Sequence, residues 1–319
     1  MSEICLVCGQ VTSLRLVEKY NKSPINYSLF ECGVCGVQFW VPFKNPGSEW
    51  YEKDERYKGA NENPTLEPTR NHKKILDYLL PFKGRVLDIG CGTGNFLNYA
   101  KNNGWDVAGM DFDSNAVNTA KKYFLLPNIE LSGLKEYIAR YPDKKFDLVT
   151  FFDVFEHIDN HLQFTNLISS LLVPRGFIGM SMPYGPGSRW LQPHDLPPRH
   201  LTRWNRTSIS RFFERNGFKI LYIKRNTTNF FNIVMKLRFR YGQWFSFGLV
   251  KYTKDKQKTS SVGNNSVTTT TSLNKTKIIH MLAKIKDTTI FFIPAVLVWL
   301  YLYVTRKIYT GLFVIAQKG

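Results

Sequence analysis

The chain has 319 residues, 43% of them hydrophobic, enough to build the core of one α/β domain of ordinary size with one or two small additions. Its formal charge of +18 is not spread evenly: from Lys219 onward 17 Lys and Arg stand against only Asp255 and Asp287, so +15 lies in the last third. That distribution excludes a uniformly basic surface and assigns the charge to one region and one partner.

No signal pattern is read at the start, where Met1-Ser2-Glu3 leads straight into a cysteine pair. Five cysteines without a secretory signal are expected in a reducing, cytoplasmic compartment. Cys5-x-x-Cys8-Gly9 and Cys32-x-x-Cys35-Gly36 are matching knuckles, separated by the strand-like runs Leu14–Val17 and Tyr27–Phe30. Each knuckle sets two thiolates on one side of a tight loop, and two of them complete a tetrahedral Zn²⁺ site. Such a closed four-thiolate site leaves no open position for chemistry. It staples a module (residues 1–41) too small to bury a core of its own. Two spaced pairs fit a metal better than a redox dithiol.

Residues 42–68, rich in Pro, Asn, Glu and aromatics (Trp50, Tyr51, Tyr57), are expected to form a linker packed on the next domain. From Thr69 to Phe82 the positions Ile75, Leu76, Tyr78, Leu79 and Leu80 have helical spacing, and Pro81 stops the helix. The run Gly84–Asn95 then predicts a buried strand over Val86–Ile89, a turn carrying Gly90, Gly92 and Gly94, and a helix opening at Asn95. Glycines in such a turn take unusual dihedrals and let backbone approach a ligand at a helix N-terminus. A dinucleotide fingerprint needs a third glycine where Asn95 stands, and Asp88 sits inside the strand end.

This acid followed by Gly-x-Gly-x-Gly resembles the first motif of class I S-adenosylmethionine (SAM) methyltransferases. The resemblance implies a doubly wound, seven-stranded, mostly parallel α/β sheet with a Rossmann-like cofactor site that includes Asp88, Gly90, Gly92 and Gly94. It also implies a helix before the first strand that covers the cofactor. Trp105–Asp111 reads as the second strand and ends in an acid about 20 residues beyond the glycines, where a carboxylate accepts both ribose hydroxyls. Asp111, with Phe112 beside it, is therefore the foremost cofactor candidate, while Asp113 and Ser114 cap the following helix. After the short strand Ile129–Leu131, Ser132 and Gly133 stand where many relatives carry an acid for the adenine amine, which leaves the adenine contacts open.

Phe146–His157 continues as a fourth strand running into the crevice, with Asp153 expected near the methionine portion of SAM. Some related quinone-biosynthesis O-methyltransferases bind a divalent metal through Glu-x-x-Glu-His. Here Asp153 takes the first place before Glu156-His157, and no further acid cluster supports a metal. A helix over Leu162–Leu172 and a fifth strand over Phe177–Met182 follow. The loop from Pro183 to His200, with five prolines, is a substrate-site candidate. Its end, Pro197–Leu201, and the helix Thr207–Asn216 resemble a segment of bacterial small-molecule and sugar-linked methyltransferases. His200 is the candidate general base, His194 and Asp195 are alternates, and His157 is a second catalytic candidate; a structural histidine bonded to backbone is the competing reading.

The core thus spans 69–228, with Phe218–Ile223 as its sixth strand. The seventh, antiparallel strand is delayed to Gly311–Ala316 within 308–319, which makes 229–307 an insertion. That insertion interleaves aromatics with Lys236, Arg238 and Arg240, passes through a Ser/Thr/Asn-rich tract (259–274), and ends in 18 uncharged residues, Thr288–Thr305, with basic flanks. If the last strand returns to the same sheet, a single membrane crossing is ruled out. A shallow interfacial or re-entrant segment on an anionic membrane surface is expected, a buried core helix or dimer contact being the competing reading and a true single span requiring another last strand. The sequence therefore predicts a methyltransferase acting on a small-molecule acceptor, lipid-linked or sugar-containing, at the inner membrane face. RNA is the alternative acceptor, through the cysteine module and basic region.

Overall fold

The computed structural model describes residues 3–21, 24–54, 67–185, 195–245 and 291–319. His194 and the 259–274 tract lie outside them. Residues Met1–Asn226 with Tyr309–Gly319 form one compact unit, and Thr227–Ile308 form another.

At the N-terminus β1 (Glu3–Ile4) pairs with β2 (Val11–Thr12), and β3 (Leu14–Tyr20), β4 (Tyr27–Cys32) and β5 (Gln38–Val41) form an antiparallel meander. The second cysteine knuckle is itself the turn that joins β4 to β5. A two-residue strand from far along the chain, β11 (Thr202–Arg203), adds to the free edge of β5 and gives the sheet order β11-β5-β4-β3.

The main sheet contains β6 (Arg85–Ile89), β7 (Asp106–Asp111), β8 (Ile129–Leu131), β9 (Phe146–Phe152), β10 (Leu172–Pro183), β12 (Phe218–Thr227) and β13 (Tyr309–Lys318). Their order is β12-β13-β10-β9-β6-β7-β8, with β8 through β10 parallel and β13 antiparallel to β10. This is the seven-stranded Rossmann-like methyltransferase architecture expected from the sequence. The strands are near-continuous apolar runs because helices cover the sheet. Val86, Leu87, Leu148, Val149, Ile178 and Met180 are all fully buried.

Local signals place the helices well. Thr69 caps Arg70–Leu79 in a reciprocal box with His72, and the Asp113 carboxylate accepts from the amides of Asn115 and Ala116 to start Ser114–Phe124. β12 and β13 run longer than the sequence reading, to Thr227 and over Tyr309–Lys318, and two other strand boundaries differ from it. β9 stops at Phe152, because Asp153 adopts φ +54° and a 3-10 turn follows over Phe155–His157. β10 starts early, at Leu172, with a register shift before Phe177.

Cys5, Cys8, Cys32 and Cys35 join the same apolar cluster as Leu87, Phe151, Phe155 and Trp204, so the N-terminal sheet shares a core with the main one. In the second unit, the helix Phe230–Phe245 and a helix over 291–304 meet at the Phe230–Phe292 ring pair, with centroids 5.6 Å apart. Among the described residues no helix is long and apolar enough to cross a membrane.

Candidate active site and metal centre

The chain runs from β6 to β7 and β8 on one side, then crosses back to place β9 on the other side of β6. A crevice opens at the carboxyl ends of strands at such a switch point. Here it is a cavity of about 690 Å³, lined by Gly90 and Gly92 after β6, Asp111 and Phe112 at the end of β7, Ser132 after β8, and Asp153 after β9. Its size lies within the range of small-molecule sites.

The glycine turn has a steric cause. Gly90, Gly92 and Gly94 all have positive φ, and a Cβ on Gly90 would stand 2.6 Å from Val154 Cγ2. The Gly92 amide donates to Asp111 Oδ2 at 2.8 Å, and the Asp113 amide donates to Asp111 Oδ1 at 2.9 Å. Each carboxylate oxygen keeps a further lone pair for a ligand hydroxyl. Burial pushes the Asp111 carboxyl above the ordinary range, against the pull of those amides. Phe112 is 44% exposed and presents its ring at the cavity. Ser132 Oγ is buried without a hydrogen-bond partner on the same wall, an orphan suited to a polar ligand edge.

Two sequence candidates stand behind this wall rather than on it. Asp88 is 3% exposed and is absent from the lining; its Oδ1 accepts from Thr150 Oγ1 at 2.6 Å, and burial raises its carboxyl to about 8. Gly94 lies at the helix N-cap, closed in by Leu126 and Ala120. Both shape the turn from beneath.

The other side of the cavity carries Glu156, His157 and His200 together. Glu156 is 1% exposed, neither carboxylate oxygen has a hydrogen-bond partner, and burial drives its carboxyl well above the usual value. Its Oε1 lies 4.0 Å from Nε2 of both histidines. His157 Nδ1 meets the Arg199 carbonyl and, at 3.2 Å, the Tyr51 hydroxyl, and burial lowers its basicity to about 3. It is therefore a neutral, backbone-anchored wall residue. His200 instead directs Nδ1 to Asp195 Oδ1 at 3.0 Å. Asp153 accepts from Ser181 Oγ at 3.2 Å, and the residue that stands close to Glu156 and His157 is His200. Glu156, His157 and His200 offer ligand atoms within 4.8 Å of one another, a set that could hold a metal ion, with Glu156 Oε1 4.0 Å from both Nε2 atoms.

Sequence reasoning missed Asn45, Tyr51 and the role of Glu156. Asn45 and Tyr51 come from the segment read as a linker and line the cavity. Asn45 Nδ2 bonds the His157 carbonyl at 2.8 Å, a long-range contact with no local signature.

The sulfurs of Cys5, Cys8, Cys32 and Cys35 lie within 4.8 Å of one another, and Cys8 and Cys32 approach to 3.9 Å. A tetrahedral ion with Zn–S bonds of ~2.3 Å needs edges of about 3.8 Å, so the four thiols fit one. The two knuckles repeat each other. Gly9 N donates to Cys5 O and Gly36 N to Cys32 O, both at 2.9 Å, with Gly9 and Gly36 at φ +69° and +73°. The amides of Cys8 and Cys35 point at the sulfurs of Cys5 and Cys32.

A family model described as a methyltransferase domain matches residues 61–223, just over half of the chain. The ubiquinone biosynthesis O-methyltransferase of Rickettsia bellii is 26% identical over 141 residues, 42% of this chain and 57% of the relative. That of Escherichia coli is 24% identical over 178 residues, 53% of this chain and 68% of the relative. The chain thus spans little more than half of the Rickettsia relative. Among solved structures, Haemonchus contortus phosphoethanolamine N-methyltransferase 2 in complex with S-adenosyl-L-methionine aligns at TM-score 0.52 and 18% identity, covering 95% of this chain and 71% of that one. This likeness is one of fold. The matched stretch is the one that builds the glycine turn, the Asp111 strand end and the Glu156 turn, and on that match the chain belongs to the methyltransferase-domain family.

Proposed function

We propose that the chain is an S-adenosylmethionine-dependent methyltransferase whose acceptor is a small molecule, lipid-linked or sugar-containing, met at the inner face of a membrane. One observation carries the catalytic part: a single cavity has the Gly92–Asp111 wall on one side and a neutral-histidine and carboxylate wall on the other. Asp111 would hold the ribose hydroxyls, Ser132 Oγ the base edge, and Gly90 and Gly92 would let the backbone lie close to the cofactor. Bound there, the cofactor supplies an electrophilic methyl on a sulfonium.

The chain's own part is positioning. In-line geometry alone removes much of the barrier to a displacement. With SAM held by Asp111, Ser132 and the glycine turn, the acceptor heteroatom–carbon bond would form as the sulfur–carbon bond broke, and S-adenosylhomocysteine would leave. For a hydroxyl acceptor, His200 Nε2 takes the proton, as a base already turned toward the cavity. Glu156, buried and unpartnered, receives a polar group of the acceptor. The ubiquinone-biosynthesis relatives are named as O-methyltransferases, which supports this acceptor class.

The four-cysteine site would hold a structural Zn²⁺. The membrane part rests on the 291–304 helix. Phe291, Ala295 and Leu302 are buried, while Phe292, Ile293, Leu297, Leu300, Tyr301 and Val304 are exposed beside Arg306 and Lys307. An apolar face with basic flanks suits an anionic interface.

The test is untargeted. Membrane and metabolite extracts incubated with the protein and methyl-radiolabelled SAM should yield label in an extractable small molecule or lipid fraction. Label in nucleic acid instead would overturn the acceptor class, and no label in any fraction would overturn the activity.

A further inference from the structure

We propose that Asp195 and Arg203 are positioning residues for His200, and that their geometry is delivered by the N-terminal cysteine module, so that metal in that module sets the tautomer of the base. This rests on the reading of His200 as the base and of the four thiols as a Zn²⁺ site.

The chain of contacts is short. His200 Nδ1 lies 3.0 Å from Asp195 Oδ1; a carboxylate has no proton to give, so Nδ1–H donates and Nε2 is left bare for the cavity. Asp195 is in turn held twice by Arg203. Nε lies 3.1 Å from Asp195 Oδ2 as an ion pair without a hydrogen bond, and Nη2 donates to the Asp195 carbonyl at 2.8 Å. All three side chains are largely buried, which makes the arrangement costly to leave half-made.

Arg203 is held from the other side by the N-terminal sheet. Its guanidinium lies over the Trp40 ring at 5.1 Å and reaches Glu18 of β3 at 3.5 Å. Its backbone belongs to β11, whose partner is β5 in the register Thr202↔Phe39 and Arg203↔Gln38. Leu201, next to His200, fastens the two systems together. Its carbonyl accepts from the Trp40 amide at 2.9 Å, and its amide donates to the Glu156 carbonyl at 2.8 Å. The base therefore stands between the cavity and a strand of the cysteine module.

That strand depends on the metal knuckle. Cys32 ends β4, Gln38 starts β5, and Cys32 N bonds the Val37 carbonyl at 3.0 Å across the turn. An ion bound to Cys32 and Cys35 fixes this turn and hence the edge to which β11 adds. Without it, β5 loses its anchored end, Arg203 loses Trp40 and Glu18, and His200 is released to the Nε2–H form that a free imidazole prefers.

The experiment is nitrogen-15 NMR of the full chain labelled at histidine, with His200 assigned by difference against His200→Gln, and SAM affinity measured in parallel by calorimetry. In the zinc-loaded protein His200 should be the Nδ1–H tautomer. Metal removal by chelation, or Cys35→Ser, should shift it to Nε2–H, with SAM affinity kept within about twofold because that wall is a separate set of contacts. Arg203→Met should do the same with the cysteines intact, and Arg203→Lys should restore part of the Nδ1–H signal. This pair decides the matter should metal-free protein unfold. An unchanged Nδ1–H tautomer in Arg203→Met would overturn the proposal. So would loss of SAM binding in that variant, since the module would then act on the fold at large. The separate reading of His200 as base fails differently, if His200→Gln methylates the acceptor at the wild-type rate while the tautomer results stand.

Discussion

The amide of Gly92 and the carboxylate of Asp111 are joined at 2.8 Å, across 19 residues of sequence, so the glycine turn and the strand-end acid form one structure. Asp111→Ala removes both the ligand-facing lone pairs and the acceptor that holds the turn. SAM affinity, measured by calorimetry, should fall below detection while zinc content stays unchanged. Retained affinity would show that the cofactor lies elsewhere.

Gly90 tests the same wall sterically. Its φ of +67° costs an L-residue about 1–2 kcal/mol, and its Cβ would meet Val154 Cγ2 at 2.6 Å. Gly90→Ala should lower stability in urea by roughly 2 kcal/mol or more, with a matching loss of SAM affinity.

His161 makes folding acid-sensitive. It is fully buried, its Nε2 lies 3.0 Å from the Phe155 carbonyl, its ring stacks on Phe43, and burial lowers its basicity to about 3. The unfolded imidazole protonates near its ordinary value of about 6.5, while the folded one stays neutral. Stability is thus present above that pH and is lost as pH falls toward 3. Between pH 6.5 and 5 the loss should be about 2 kcal/mol. Urea titrations at both values should show it, and His161→Phe should lessen the slope by that share, leaving the shares of His157 and His72, which burial lowers in the same direction.

The cysteine cluster should behave as one unit. Cys35→Ser should take metal content from one zinc per chain to near zero by elemental analysis and lower the thermal midpoint, because binding energy in such a site is folding energy. An unchanged midpoint would mean that the shared apolar core holds the module without its ion.

For the 291–304 helix, replacing exposed Leu297 and Leu300 by Glu should abolish flotation with anionic vesicles and leave SAM affinity intact. Equal flotation of the variant would assign membrane contact to the basic residues alone.

Much of the fold was legible locally. The apolar runs of β6, β9 and β10, the capping by Thr69 and Asp113, and the left-handed glycines are signatures that a strand, a helix start and a tight turn impose on neighbouring residues. The paired knuckles are equally local, since each is a five-residue device. Even the delayed β13 could be read, from its apolar run.

What tertiary structure decided were facts about partners distant in sequence. Asp88 stands one residue before the end of β6 and Asp111 ends β7, yet pairing of Asp88 with Thr150 turns one carboxyl into the floor, while the other faces the cavity. β11 has only two residues, too few to carry a periodic pattern, and exists because the edge of β5 accepts it. That pairing brings Arg203 to Asp195 and Asp195 to His200. The types of these residues are written in the chain, but the direction in which each points follows from which backbone edges meet.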